Sequence, residues 1–366
     1  MRRILAVLAV AALAGLGWSW LGSGRTGGPG APGDAGPTVG RTPRPTSSPG
    51  LKDAPAGLYL TEAPERATFP FIDHAVIGID WSELEPAPDD FGGPGWRRID
   101  AALRDHPGFR FRLRIAAGRG APEWLKDVEG GCVDVTQPAN GLTACVPRFW
   151  TDAYLDEYAE LMAEVARRYD DEPRILDVVN SACMTMWTEP FIRAGRDEAS
   201  NLRLFEAGLN EDSDRYCLRR STRVMVRAFE RTRTSIATHL QWQIVTADGV
   251  EPSWPKQRNM LNNLLAAFGE EIVIQNNGLG GDEGCTREES PVDATQMWCW
   301  LAAIRYPKGF QTEGDRKLEA SGFVVQDAIR RALGMGACFV EHNAFGDSAS
   351  AARVLDTRLK ANCPPG

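Results

Sequence analysis

The sequence predicts an α/β protein built as a single (β/α)8 barrel, and three observations carry that reading. Short β-like runs alternate with helical segments from residue 58 onward, the pattern of parallel strands joined by right-handed crossovers. Counting Leu58 to Thr61, there are eight such runs, the number that closes a barrel. The chain has 366 residues, 43% hydrophobic and 25% charged, which suits one large core better than two equal domains.

The N-terminus reads as a separate region. Arg2 and Arg3 precede an apolar run from Ile4 to Leu13, with Ala12-Leu13-Ala14 as a small-residue cleavage site. Residues 1–21 are therefore expected to be a signal peptide, or a membrane anchor if the apolar stretch through Trp18 and Trp20 stays uncleaved. Residues 22–57 are rich in Gly, Pro, Ser and Thr and read as a disordered linker to a barrel domain over 58–366. Export makes disulfides expected. The eight cysteines fall into four sequential pairs: Cys132 with Cys145, Cys183 with Cys217, Cys285 with Cys299, and Cys338 with Cys363.

The strands are then taken in order. Ala75–Ile79 follows the first run after a short Pro-containing stretch, so any helix between them is degenerate. Trp96 to Leu103 is helical, and Phe109 to Ile115 alternates apolar residues with Arg110, Arg112 and Arg114, a strand with one polar face. The polar face is expected to form ion pairs inside the barrel. A long loop over 118–149 precedes the clearest amphipathic helix, Tyr154 to Tyr169. Ile175–Val179 is strand four. A helix is predicted from Tyr216 to Thr238, and Leu240 to Val245 is read as strand five because it alternates. Glu271–Asn276, Phe310–Glu313 and Ala337–His342 complete the count. The helices between and after them are Asn259–Phe268, Met297–Ile304, Lys317–Leu333 and Ala351–Lys360.

Net charge and histidine content restrict the partners. A formal charge of −8 with arginines scattered among acids argues against nucleic acid. The four histidines, His74, His106, His239 and His342, include no i, i+4 pair, so no metal site and no cofactor are expected. No Gly-x-Ser-x-Gly elbow and no dinucleotide fingerprint occurs.

Two carboxylates stand out. Glu313 closes Gly309-Phe-Gln-Thr-Glu-Gly314 at the end of strand seven, and Glu189 lies beyond strand four in Met184-Thr-Met-Trp-Thr-Glu-Pro190. Strand ends deliver catalytic groups to the C-terminal mouth of such a barrel. Two carboxyls about 5–5.5 Å apart perform retaining glycoside hydrolysis, and a gap of about 6.5–9.5 Å goes with inversion. Apolar neighbours Met184, Met186, Trp187 and Pro190 suit Glu189 as the protonated acid/base. Polar neighbours Gln311 and Thr312 suit Glu313 as the ionised nucleophile. The expected substrate contacts are Trp81, Glu83 (or Glu85), Trp187, Asn276, Gln311 and Glu341. Aromatic rings stack on sugar faces, and the partner is accordingly a carbohydrate.

Three motifs carry a family resemblance. Trp81-Ser-Glu-Leu-Glu-Pro86, Ala121-Pro-Glu-Trp-Leu125, and Phe149-Trp150 with the helix to Tyr169-Asp170 are similar to segments of the (β/α)8 retaining glycoside hydrolases. That clan includes the family 42 β-galactosidases and the family 5 enzymes. The resemblance spans roughly Val76 to His342. It implies a retaining β-glycosidase, secreted or surface-tethered, with Glu189 and Glu313 in the roles above. One position departs from the pattern: Thr188 stands where the clan has an asparagine that contacts the sugar 2-hydroxyl. Asn180, Asn276 and Asn277 are the residues that could replace it. The departure also admits a non-catalytic carbohydrate-binding envelope protein on the same barrel.

Overall fold

The computed structural model describes residues 50–363, apart from 62–63, 65–66, 68, 138–139, 196, 282–283, 286–292 and 347. The proposed export segment and nearly all of the linker lie outside the described residues. Among the described residues, no helix is long and apolar enough to cross a membrane.

Eight parallel strands close a barrel: β1 Gly57–Leu60, β2 His74–Asp80, β3 Arg110–Ala116, β4 Ile175–Val179, β5 Arg233–Thr238, β6 Ile272–Leu279, β7 Lys308–Thr312 and β8 Phe339–His342. Each strand pairs with its neighbours in sequence, and β8 returns to β1 with Gly57 opposite Phe339. Side chains alternate across each strand. Phe111, Leu113 and Ile115 of β3 join the large apolar cluster outside the sheet. Tyr59, Val273 and Phe339 form a smaller cluster within it. Among the described residues between β1 and β2 there is no α-helix, so that crossover is degenerate as expected.

A polar layer fills the middle of the barrel. Arg112 Nε lies 2.9 Å from both Asp177 carboxylate oxygens, and Nη2 donates to Asp177 and to Ser235 Oγ. Its Nη1 donates to Gln275 Oε1 and Glu341 Oε1, each at 2.5 Å. One guanidinium thus ties β3 to β4, β5, β6 and β8, with the side chains of Arg112, Asp177 and Glu341 wholly buried. Such a group is tolerable in an apolar interior only when every donor is matched. The ion pairing expected for Arg112 and Arg114 is present.

Three sequence expectations are corrected. The predicted helix from Tyr216 to Thr238 is two elements, a helix Glu211–Ala228 and then β5. Every residue of β5 is buried, so it lacks the alternation that marks a half-exposed strand. The alternating run after it, Trp242–Thr246, instead pairs antiparallel with Gly249–Ser253 in a hairpin separate from the barrel sheet. Lys317 to Leu333 is broken into Asp315–Ala320 and Val325–Gly334. Gly322 adopts φ +80°, and the amides of Gly322 and Phe323 bond back to Glu319 and Leu318, a glycine-ended helix terminus.

The C-terminal end of the segment read as linker packs on the barrel. Lys52 is 9% exposed, and its ammonium donates to the carbonyls of Tyr169, Glu172 and Ile175 and to Thr232 Oγ1. Composition reports a segment's average and misses a single lysine that bonds the last carbonyl of the helix Asp152–Tyr169, the turn after it and the start of β4. All four cysteine pairs form as the sequence suggested. Cys183–Cys217 ties the loop after β4 to the helix Glu211–Ala228, and Cys285–Cys299 ties the segment after β6 to the helix Asp293–Ala303.

Candidate active site

Alternation along the strands decides which residues reach the C-terminal mouth. In β6, Ile272 and Ile274 pack outward under helices, and Gln275 faces inward to Arg112. Asn276 therefore faces outward and Asn277 inward. Asn276 is fully buried, donating to Thr238 Oγ1 and lying 3.4 Å from Met297 Sδ. Its expected role as a substrate contact is corrected, because side-chain period two makes neighbours point to opposite faces. Asn277 fills the inward position instead.

Asn277 Nδ2 donates to Glu189 Oε1 at 2.6 Å. The loop from Ser181 onward brings Glu189 back to the barrel, held by the Ile192 amide on the Glu189 carbonyl and by Thr185 Oγ1 on the Ile192 carbonyl. Glu189 Oε2 is shielded from solvent and has no hydrogen-bond partner. Burial raises the pKa of this carboxyl, and the Asn277 amide and the charge of Arg114 partly oppose the rise. A group of this kind keeps its proton to higher pH than an exposed glutamate.

Glu313 directly follows β7, on the inward side with Gly309 and Gln311. Its amide donates to the Leu279 carbonyl at 2.9 Å, and its carboxylate is ion-paired with Lys317, four residues on in the next helix. The pairing register sets Gln311 beside Asn277 on β6 and Glu341 on β8. Both residues are thus attached to the end of β6, Glu189 by its carboxylate to Asn277 and Glu313 by its backbone amide to Leu279. His239, just past β5, lies against Gly278 and has its pKa lowered by burial and then by Lys317.

The remaining expected contacts fall into two groups. Trp187, two residues before Glu189, is 42% exposed. Trp81 is 0% exposed. Its ring packs edge-on against Trp124, Tyr154 and Tyr158, and its Nε1 donates to Glu85 Oε2 at 2.8 Å. This corrects its expected stacking role, since no face is open. Glu83 caps its own short helix and pairs with Arg98. Glu85 is buried beneath Trp81, and burial lifts its pKa to about 7.

Glu341, expected to bind hydroxyls, is committed elsewhere. Its two oxygens accept from Arg112 and Arg114, at 2.5 and 2.6 Å. Burial works against its charge, but the two arginines outweigh it and hold its pKa below the ordinary value. Arg114, 14% exposed with its Nε unpartnered, is the member of this group that reaches the mouth. Sequence reasoning assigned it only to ion pairing. Asn180 is also excluded from the mouth, because its amide donates to Ser221 and Thr222 of the helix Glu211–Ala228.

No protein-family model matches the chain, and no curated protein matches its sequence. Solved structures do. The catalytic domain of β-amylase from Paenibacillus polymyxa is similar over 85% of this chain and 100% of its own, at 9% identity and TM-score 0.51. Endo-glycoceramidase II from a Rhodococcus species matches 84% of this chain and 80% of its own, at 16% identity and TM-score 0.48. A β-galactosidase from the psychrophilic Marinomonas ef1 matches 83% of this chain and 59% of its own, at 12% identity and TM-score 0.47. At 9% identity the likeness to the β-amylase domain supports the fold class alone, the (β/α)8 barrel already seen in the strand order, and the chemistry has to be argued from the site.

Proposed function

We propose that the protein is a retaining β-glycoside hydrolase, with Glu189 as acid/base and Glu313 as nucleophile. One observation carries the reading: the two oxygens of Glu189 are unlike each other. Oε1 is fixed by Asn277, and Oε2 is buried without a partner. A carboxyl held this way has one oxygen fixed and the other left to carry a proton, and burial shifts its pKa upward, which suits general acid catalysis at a glycosidic bond.

Glu313 complements it. Its carboxylate is ion-paired with Lys317 at the end of β7, and a carboxylate there can act as the nucleophile of a retaining reaction. Attack by its carboxylate at the anomeric carbon, with proton transfer from Glu189 to the departing oxygen, gives a glycosyl-enzyme. Glu189 then takes a proton from water as that water releases the sugar. Trp187 supplies a stacking surface at the rim. The reaction requires no cofactor. Four disulfides support an extracytoplasmic setting, consistent with an exported enzyme acting on a poly- or oligosaccharide.

Glu189→Gln and Glu313→Ala are expected to lower kcat on aryl β-glycosides by roughly three orders of magnitude or more, with unchanged thermal midpoints. Near-normal turnover in either variant removes that residue from the mechanism. NMR of the first-formed sugar should show the β-anomer; the α-anomer would make Glu313 the base of an inverting enzyme. Saccharide binding with no hydrolysis in the wild type would replace catalysis with recognition.

A further inference from the structure

Next to Glu313 is a side-chain chain that the proposed reaction does not use. His342, the last residue of β8, is 2% exposed and faces out of the barrel. Its Nδ1 lies 2.5 Å from Thr312 Oγ1 and its Nε2 lies 2.8 Å from Asp315 Oδ1. Thr312 and Asp315 flank Glu313-Gly314 in the chain. One imidazole therefore holds a side chain on each side of Glu313, where β7 ends and the helix Asp315–Ala320 begins.

We propose that His342 is a positioning residue for Glu313, which its clamp on Thr312 and Asp315 holds in reacting geometry. The proposal rests on the reading of Glu313 as nucleophile. The physical need is plain. Glu313 follows the last residue of β7, its amide bond to Leu279 is the backbone tie the structure gives it, and Gly314 is exposed with open space around it. A carboxylate on such a junction would drift with the helix after it. That helix also carries Lys317, the partner of the Glu313 carboxylate, so fixing Asp315 fixes both the charge and its counter-ion.

The chemistry of the clamp is consistent. A neutral imidazole with its proton on Nε2 donates to the Asp315 carboxylate and accepts the Thr312 hydroxyl on Nδ1. Burial lowers the pKa of His342, and Asp315 partly offsets this. The Phe345 ring, with its centroid 6.1 Å from that of the imidazole, packs beside it. His342 is turned to the outer side of the sheet and touches no reacting atom. Its influence can reach the reaction only through where it puts Glu313.

The test uses the full chain. Thr312→Val removes the hydroxyl at nearly constant volume, Thr312→Ser keeps it, and His342→Gln shortens the bridge. Thr312→Val and His342→Gln should each lower kcat on aryl β-glycosides by about tenfold to a hundredfold, the cost of a misplaced reacting group. KM should stay within about twofold, and Thr312→Ser should recover most of the rate. Amide exchange gives a readout independent of catalysis. In Thr312→Val, exchange of the Glu313 amide should quicken by tenfold or more while that of Phe310, inside β7, is unchanged. Unchanged kcat in both Thr312→Val and His342→Gln overturns the proposal, as does unchanged Glu313 exchange. If the wild type hydrolyses no glycoside, the glycosidase reading fails, and the exchange measurement alone decides whether His342 fixes Glu313.

Discussion

The amide of Asn277 lies 2.6 Å from Oε1 of Glu189, joining an inward position of β6 to a loop that leaves the barrel after β4. That bond orients the carboxyl and leaves Oε2 as its free oxygen. It also acts on the proton. Donation to the carboxylate favours the charged form, so Asn277 lowers a pKa that burial raises. Asn277→Ala should shift the basic limb of kcat to higher pH, because Glu189 then keeps its acid proton longer. A pH–rate profile reads this directly, and a shift to lower pH would contradict the assignment.

The two tryptophans expected at the mouth should behave oppositely. Trp187→Ala removes an exposed ring, and should raise KM several-fold while leaving the urea midpoint unchanged. Trp81→Ala removes a buried ring from a four-membered aromatic cluster, and should cost about 3–5 kcal/mol in stability. Urea titrations of both variants check the contrast.

Arg112 is the hub of the barrel interior. Arg112→Met leaves Asp177 and Glu341 as buried acids facing fewer positive partners, and should destabilise the protein by about 3–5 kcal/mol. Glu341 adds a pH dependence. Its folded pKa is below the ordinary glutamate value, so its contribution is present above that value and lost as pH falls through the folded pKa. Glu341→Gln should therefore be less stable than wild type at neutral pH and lose less further stability on acidification. Denaturation series at neutral and acid pH measure both effects.

Lys52 is predicted to belong to the folding unit. Lys52→Met takes the ammonium away from three backbone carbonyls and Thr232 Oγ1, an expected loss of about 1–3 kcal/mol. No change in the unfolding midpoint would return this segment to the linker.

Much of the architecture could be read from the chain, and the failures share a cause. Strands with one apolar and one polar face, such as β3 with its three arginines, announce themselves by alternation. β5 is buried at every position, carries no such signal, and sits close after a strong helical pattern. The break at Gly322 was legible in principle, since a glycine inside a helical pattern is a natural terminus. At the site, Glu189, Trp187, Gln311 and Glu313 were all singled out in the sequence, and Asn276 missed the inward position by one residue. Lys317 lies at the i+4 position from Glu313, a spacing that was available and unused.

The sequence by itself determined the barrel, the four disulfides, and the pair of glutamates worth testing. These follow from periodicity, composition and spacing along the chain. Only the tertiary structure decided that Asn277 rather than Asn276 meets Glu189, that Glu341 is consumed by two arginines, that Trp81 is core, and that His342 grips both sides of Glu313. Each of those depends on which face of a strand points where and on what arrives from a distant strand. A one-residue phase and a long-range contact leave no mark in local pattern.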